Sequence, residues 1–383
     1  MRIAVVGAGP AGLLFALLAR RRFPACSVDV VEQNPVGATY GFGVVFSAGA
    51  LAFLERDAPD VLAALSAAME TWPVQRIVHR GERVDIDGNG FAAIARLRLL
   101  EILGRLCADA GVAVRWDTTL ASLDELGAAD LVVGADGFNS LVRRSLADRF
   151  GTEVRQLTNR FVWYGTAQPF DCLTLTFRAS ADGAFVAHHY RYAPGMSTFI
   201  VECGDATWRR AGLAAMSDAQ SRAYCERVFA DDLGGRPLVS NKSVWRQFPL
   251  LSARRWWTES GVGHAVLIGD ALRTVHFSIG SGTRLAFEDA IALDRAFGEA
   301  GLDVPAALAA FERERRPVVE KMLAAASASS HWYEGLAGKM SLDPLSLAYD
   351  YMTRSGRMTG ARLRETAPKF MKKFDDAQRG WSS

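Results

Sequence analysis

The residues Gly7-Ala8-Gly9-Pro10-Ala11-Gly12 have the types and the spacing to hold a diphosphate. Glycine lets a chain turn sharply and lie against phosphate oxygens, and a helix starting there offers free N–H groups and a partial positive charge. In this G-x-G-x-x-G spacing Gly7 permits the turn. Gly9 admits the diphosphate, with Ala11 beside it, and Gly12 brings the helix close to the preceding strand. Glu32 follows about 20 residues past the last glycine, where an acid takes the hydroxyls of a ribose. A dinucleotide is the ligand this pattern implies.

Two later segments set a carboxylate among glycines. One is Gly134-Ala135-Asp136-Gly137, with Arg143 following where it is available to pair with an acid or a diphosphate. The other is Gly269-Asp270, followed by Gly280-Ser281-Gly282. A further group lies between them. Strand alternation over 185–192 puts His188, Tyr190 and Tyr192 on one face, with His189 and Arg191 on the other. Aromatic edges with polar tips suit a phenol or its anion, and the same pattern also reads as an ordinary half-buried sheet face. His276 and Tyr164 admit the same two readings, as ring contacts or as satisfied core residues.

The elements that must position these groups form an α/β fold. Arg2 to Val6 is a β-branched run, read as a buried parallel strand; Leu13 to Arg22 reads as a helix and Val28 to Val31 as a strand ending at Glu32. A helix over 98–111 and strands over 112–116 and 131–134 continue the pattern. From Arg155 to Phe248 the texture changes to short strand-like runs at 161–164, 173–177, 185–192, 197–202 and 244–248. After the strand 265–268 the chain is mainly helical, with Pro317 setting a kink or a boundary. The expected organisation is a Rossmann-like lobe over 1–154, a mostly β substrate lobe over 155–255, the first lobe resumed over 256–330, and a helical segment over 331–383.

A chain of 383 residues is long enough for two such lobes. A net charge of +2 is too balanced for a general nucleic-acid binder, and no apolar run reaches membrane-spanning length. Residues 3 to 19 carry no charge, as in a signal peptide. They are glycine-fingerprinted, however, and lead straight into a strand–acid unit. Cys26, Cys107, Cys172, Cys203 and Cys225 are scattered, odd in number and without C-x-x-C spacing. They imply reduced thiols in a cytoplasm and neither a disulfide framework nor a metal site.

The three segments, in this order and at these separations, resemble the three fingerprints of the single-component FAD-dependent aromatic hydroxylases. The likeness covers nearly the whole chain. It implies FAD held by Gly7, Gly9, Ala11, Gly12 and Glu32, by Asp136, by Asp270 on the ribityl chain, and by Gly280 and Gly282 at a helix end facing the flavin. Arg96 matches the family's arginine at the start of the helix that follows the first crossover. In that family the second fingerprint also serves NADH or NADPH, and no second G-x-G-x-x-G is present.

Gly41-Phe-Gly-Val-Val-Phe-Ser47, Trp163-x-Gly165-Thr166, Ser197-Thr-Phe-Ile-Val-Glu202 and His276-Phe277-Ser278-Ile279-Gly280 narrow the likeness. They resemble the salicylyl-CoA 5-hydroxylase and aminobenzoyl-CoA monooxygenase group, and the violacein-pathway tryptophan hydroxylase. Thr353-Arg-Ser-Gly-Arg357 resembles the end of the acyl-CoA hydroxylase module. The resemblance implies hydroxylation of an activated ring by NAD(P)H, O2 and a C4a-hydroperoxyflavin, on an aromatic CoA thioester such as salicylyl-CoA or 2-aminobenzoyl-CoA. The family's substrate sits against the sheet of the middle lobe, so Tyr164, His188, Tyr190 and Tyr192 are the expected contacts, His188, His276 and Tyr190 the groups expected to act on it, and Arg254, Arg255 or the tail arginines the candidates for the CoA phosphates. The alternatives are a tryptophan or indole-type flavin hydroxylase and a flavin dehydrogenase that inserts no oxygen.

Overall fold

The computed structural model describes residues 1–39 and 41–381; the last two residues of the 331–383 segment lie outside them. Arg2–Val6 sits inside a six-stranded sheet in the order Trp257–Ser260, Gly263–Leu267, Leu131–Gly134, Arg2–Val6, Ser27–Val31, Ala113–Arg115. All neighbours are parallel except the edge pair Trp257–Ser260 and Gly263–Leu267. Ile3, Val5, Val30, Val132 and Val133 are buried, since the helices Pro10–Arg22, Arg96–Asp109 and Gly282–Ala300 join the same core. The chain runs from Arg2–Val6 to a neighbour on one side and later meets Leu131–Gly134 on the other. Such a reversal opens a cleft at the carboxyl ends of the strands.

The second sheet has eight strands. Its path is Leu238–Ser240, Thr152–Thr166, Met196–Cys203, Gly183–Ala193, Leu173–Ser180, Gln75–His79, Glu82–Ile86, and Arg246–Ala253 also pairs with Thr152–Thr166. The sheet therefore draws two strands, Gln75–His79 and Glu82–Ile86, from outside the 155–255 stretch in which its strands are expected. Gln75–His79 joins parallel to Leu173–Ser180, while the strands between 152 and 203 pair antiparallel with one another. A small sheet of Gly43–Ser47, Phe91–Ala95 and Glu70–Trp72 links the lobes.

Both faces of the large sheet are covered. Val162, Tyr164, Phe185, Ala187, Phe199 and Val201 pack with Tyr224 and Cys225 of the helix Asp218–Val228. The opposite face meets Trp332 and Tyr333 of the helix Val304–Glu334 and the helices that follow it. That long helix runs through Pro317, so the proline marks no boundary, and it also continues across residue 330. The tail is helical, with Leu336–Lys339, Pro344–Thr353, Gly360–Thr366 and Pro368–Trp381. No helix of the described residues is long and apolar enough to cross a membrane, and all five cysteines are buried and unpaired.

Candidate active site

The glycine loop leaves the carboxyl end of Arg2–Val6 and is pressed against the second glycine segment. Gly7 has φ +104°, and a Cβ there would lie 2.5 Å from the Ala135 carbonyl oxygen. A Cβ on Gly12 would lie 2.0 Å from the Gly7 carbonyl oxygen, so the helix Pro10–Arg22 needs glycine to seat on the loop. Gly9 differs: the nearest protein atom to an added Cβ is 3.8 Å away. No side chain caps this helix and its first turn has no acid, so the amides of Ala11 and Gly12 remain for a ligand. Glu32 is fixed beside them. Its Oε2 accepts from the Ala8 amide at 2.8 Å, and its Oε1 from the Asn34 amide and side chain at 2.9 and 2.6 Å.

Asp136 follows Leu131–Gly134. Its Oδ2 accepts from the Leu141 amide at 2.6 Å, while Oδ1 is buried with no hydrogen-bond partner. Burial raises this carboxyl above its usual range. Arg143 meets neither an acid nor an open phosphate position. It is buried and donates to the carbonyls of Ala271, at 2.9 Å, and Phe138, tying the second segment to the third.

The third segment is held by a buried ionic network. The Gly269 amide donates to Asp289 Oδ2 at 3.0 Å; Arg273 Nη1 lies 2.7 Å from the same oxygen and Arg315 Nη2 3.2 Å from Oδ1. Asp270 projects from this turn. It is open to solvent yet ringed by protein, as a residue lining a cleft is. Its surroundings raise its carboxyl, and the charges of Arg96 and then Arg273 oppose that rise. Arg96 makes no side-chain hydrogen bond among the described residues and feels Asp270 as its charge partner. Gly280 has φ +58°, a Cβ on Gly282 would meet nothing within 4 Å, and the helix Gly282–Ala300 has no side-chain cap. Two uncapped helix starts, an orphaned Asp136 oxygen and the opposite charges of Arg96 and Asp270 fit a dinucleotide such as FAD.

Next to this cleft the sheet presents aromatic walls. The register aligns Trp163 with Ile200 and His188, Phe161 with Glu202 and Val186, and Gly165 with Thr198 and Tyr190, all on one face. Phe277, from the third segment, packs against that face. Its ring centroid lies 4.9 Å from Phe161, 6.2 Å from Trp163, 6.1 Å from Phe248 and 5.4 Å from His188. The four larger rings are half-buried and so remain partly open. Phe161 and Phe248 went unnoticed in the sequence, although their alternation is that of a strand.

The other expected contacts divide. Tyr164 is a correction: it points to the opposite face and bonds Ser221 Oγ at 3.0 Å, because neighbours on a strand face opposite ways. The Tyr190 hydroxyl donates to the Gly43 carbonyl at 2.9 Å, so it clamps the 41–43 segment onto the sheet and is not free to act on a ring. Tyr192 is half-buried against Gly43. His276 is buried, accepts from the Ser278 amide on Nδ1 at 3.4 Å, and is held neutral by burial, its pKa lowered to about 4. His188 faces Phe277 and lies 3.5 Å from Glu202 through Nε2. Arg254 and Arg255 are exposed. Arg354 is fully engaged, donating to Ser329 Oγ at 3.0 Å, the Tyr351 carbonyl at 2.7 Å and the Ser278 carbonyl at 2.8 Å; it ties the tail to the third segment and is not available to phosphates.

A sequence model of the family described as FAD binding domain matches residues 108–326. The chain is 40% identical over 365 residues to a salicyloyl-CoA 5-hydroxylase of a Streptomyces species, spanning 93% of this chain and 70% of that protein. It is 37% identical to the protodeoxyviolaceinate monooxygenase of Chromobacterium violaceum, over 92% of this chain and 94% of that one. It is 35% identical to the 3-hydroxy-4-methyl-anthranilyl-[aryl-carrier protein] 5-monooxygenase of Streptosporangium sibiricum, over 94% and 95%. Its fold resembles the tetrameric form of 2-methyl-3-hydroxypyridine-5-carboxylic acid oxygenase, with a TM-score of 0.69, 18% identity and 95% of each chain covered.

Proposed function

This chain belongs to the single-component FAD-dependent aromatic hydroxylases, and from that premise we propose that it uses NAD(P)H and O2 to hydroxylate an activated aromatic ring presented as a thioester. The observation that carries the thioester is the charge of the aromatic face. Glu202 lies buried beside His188 on that face, and the arginine in its register row, Arg246 opposite Phe161, is exposed on the outer strand. A free aryl carboxylate would meet a like charge there, whereas a thioester carbonyl is neutral. Relatives acting on a CoA thioester and on a carrier-bound anthranilyl group support the same reading. Salicylyl-CoA and 2-aminobenzoyl-CoA are the substrates of choice, since a thioester withdraws electrons and a ring hydroxyl or amino group offsets it.

Bound FAD supplies the electron transfer and the activation of oxygen. In this reading the 7–12 loop and its helix hold the diphosphate, Glu32 the ribose, and Arg96 with Asp270 the ribityl chain. Asp136 bounds the same cleft, and the start of Gly282–Ala300, behind Gly280, faces the ring system. The walls Phe161, Trp163, Phe248 and Phe277 orient the substrate and keep water out. His188 takes a proton from the substrate; His276, neutral and bonded to its own turn, shapes the wall. A cytoplasmic setting suits five unpaired thiols.

A second reading is a tryptophan or indole-type hydroxylase; the relative on that side is named for protodeoxyviolaceinate and not for tryptophan. Following NAD(P)H oxidation with salicylate, salicylyl-CoA, 2-aminobenzoyl-CoA and tryptophan at equal concentration separates the two. Turnover of the thioesters with product supports the proposal; product from tryptophan alone would leave the second reading standing.

A further inference from the structure

His188 and Glu202 are both buried, on neighbouring strands of the aromatic face, with His188 Nε2 3.5 Å from Glu202 Oε2. That is ion-pair distance but long for a hydrogen bond, and neither atom has any other partner. The second oxygen, Oε1, is braced by Asn159 Nδ2 at 2.8 Å. A buried carboxylate aimed at an otherwise unpartnered ring nitrogen is costly as packing and calls for a functional reason. Nδ1 of His188 makes no hydrogen bond among the described residues, and the ring meets Phe277 edge to face at 5.4 Å.

We propose that Glu202 is a positioning residue whose carboxylate, braced by Asn159, orients His188 as the base that takes the hydroxyl proton of the bound ring. The inference rests on the reading of this face as the substrate's. Glu202 selects the tautomer with hydrogen on Nε2, which leaves the Nδ1 lone pair to accept. The substrate O–H bond breaks, its electron pair stays on oxygen as phenolate, and the proton moves to Nδ1. The imidazolium formed is stabilised by Glu202. A phenolate pushes electron density into the ring, which is what attack by an electrophilic oxygen requires.

The other groups around the pair leave it this role. Burial opposes the charge on Glu202, but the facing His188 and the hydrogen bond from Asn159 outweigh it and hold the carboxyl below its ordinary value. His276, from the turn before 277–279, is kept neutral by burial. Tyr333, from the long helix, has its hydroxyl buried and is pushed far above the usual range by burial, so it stays protonated. Glu334 is engaged by the Thr158 amide and hydroxyl at 2.8 and 2.6 Å, and Arg354 by Ser329 and two carbonyls.

The test compares FAD-loaded wild type with Glu202→Gln, His188→Gln and Asn159→Ala. The first readout needs no turnover: the absorbance of bound salicylyl-CoA without NAD(P)H. Wild type should show the phenolate band near neutral pH, and Glu202→Gln and His188→Gln the neutral phenol, with little change in Kd. Coupled hydroxylation by Glu202→Gln should fall roughly 10- to 100-fold, a share of what a general base contributes. It should recover as pH rises, and with a ring-fluorinated, more acidic salicylyl-CoA. Asn159→Ala should show the same changes more mildly, and it serves if Glu202→Gln fails to fold. Wild-type spectra in Glu202→Gln, or a loss that neither pH nor the acidic phenol repairs, would overturn the assignment. So would a wild type that hydroxylates only rings without an ionisable hydroxyl. If it takes free salicylate and not the thioester, the thioester reading alone fails, and the same comparison on salicylate still decides the pair.

Discussion

The Gly269 amide donates to Asp289 Oδ2 at 3.0 Å, so the turn that presents Asp270 is fastened to the interior of the following helix. Asp289 also answers two buried arginines, Arg273 and Arg315. Asp289→Ala should therefore lower apo-protein stability by about 3–5 kcal/mol, the usual cost of leaving buried charge uncompensated. Urea unfolding of the two apo-proteins measures it. A loss no larger than that of a surface substitution would mean that the network does not hold the turn.

Asp270→Ala should act on the cofactor and not on the fold. Asp270 is solvent-accessible and makes no hydrogen bond among the described residues, so its removal orphans no buried partner. Losing one charge-assisted hydrogen bond to FAD should cost on the order of 1.5–3 kcal/mol of affinity. Titration of apo-enzyme with FAD reads it; unchanged affinity with a lowered melting temperature at saturating FAD would place Asp270 in a structural role.

Gly9 and Gly12 should fail differently. Gly9 lies in the extended region at φ −75° with its side open, so Gly9→Val should fold yet bind no FAD. Gly12→Val drives a Cβ to 2.0 Å from the Gly7 carbonyl and should not fold. Circular dichroism with flavin absorbance separates the outcomes. A yellow, stoichiometrically loaded Gly9→Val protein would contradict a diphosphate at that position.

The glycine segments and the alternation of His188 with His189 were legible because they depend on neighbours along the chain. What was not legible depends on register. Trp163 and Tyr164 are equally aromatic, and only the pairing of Trp163 with Ile200, itself opposite His188, decides which of them meets the cleft. Gln75–His79 and Glu82–Ile86 are short and charged; they pair with each other antiparallel, and Gln75–His79 joins the large sheet through a parallel partner some hundred residues away. Arg143 looked free because the carbonyls it serves belong to Phe138 and to the distant Ala271.

Stability should fall on mild acidification. Burial lowers the His189 pKa to about 3 and that of His276 to about 4. An unfolded histidine titrates near 6.5, so between that pH and those folded values the unfolded state binds more protons and stability rises with pH. Each histidine should contribute on the order of 3–5 kcal/mol at most, present above about pH 6.5 and lost toward pH 3–4. His189 stacks on Phe199 at 5.1 Å, so His189→Phe should keep the packing and flatten the acid limb of melting temperature against pH. An acid limb as steep as the wild type's would contradict the buried neutral histidine.

The central claim, oxygen insertion into a thioester-borne ring by bound FAD, is tested most directly with isotopically labelled dioxygen. The FAD-loaded enzyme is given NAD(P)H and salicylyl-CoA under that gas, and the product is weighed by mass spectrometry. The account predicts one labelled oxygen atom on the ring, formed in proportion to the NAD(P)H consumed. Unlabelled product, or NAD(P)H oxidised only to peroxide with every aryl thioester while tryptophan is hydroxylated, would contradict it.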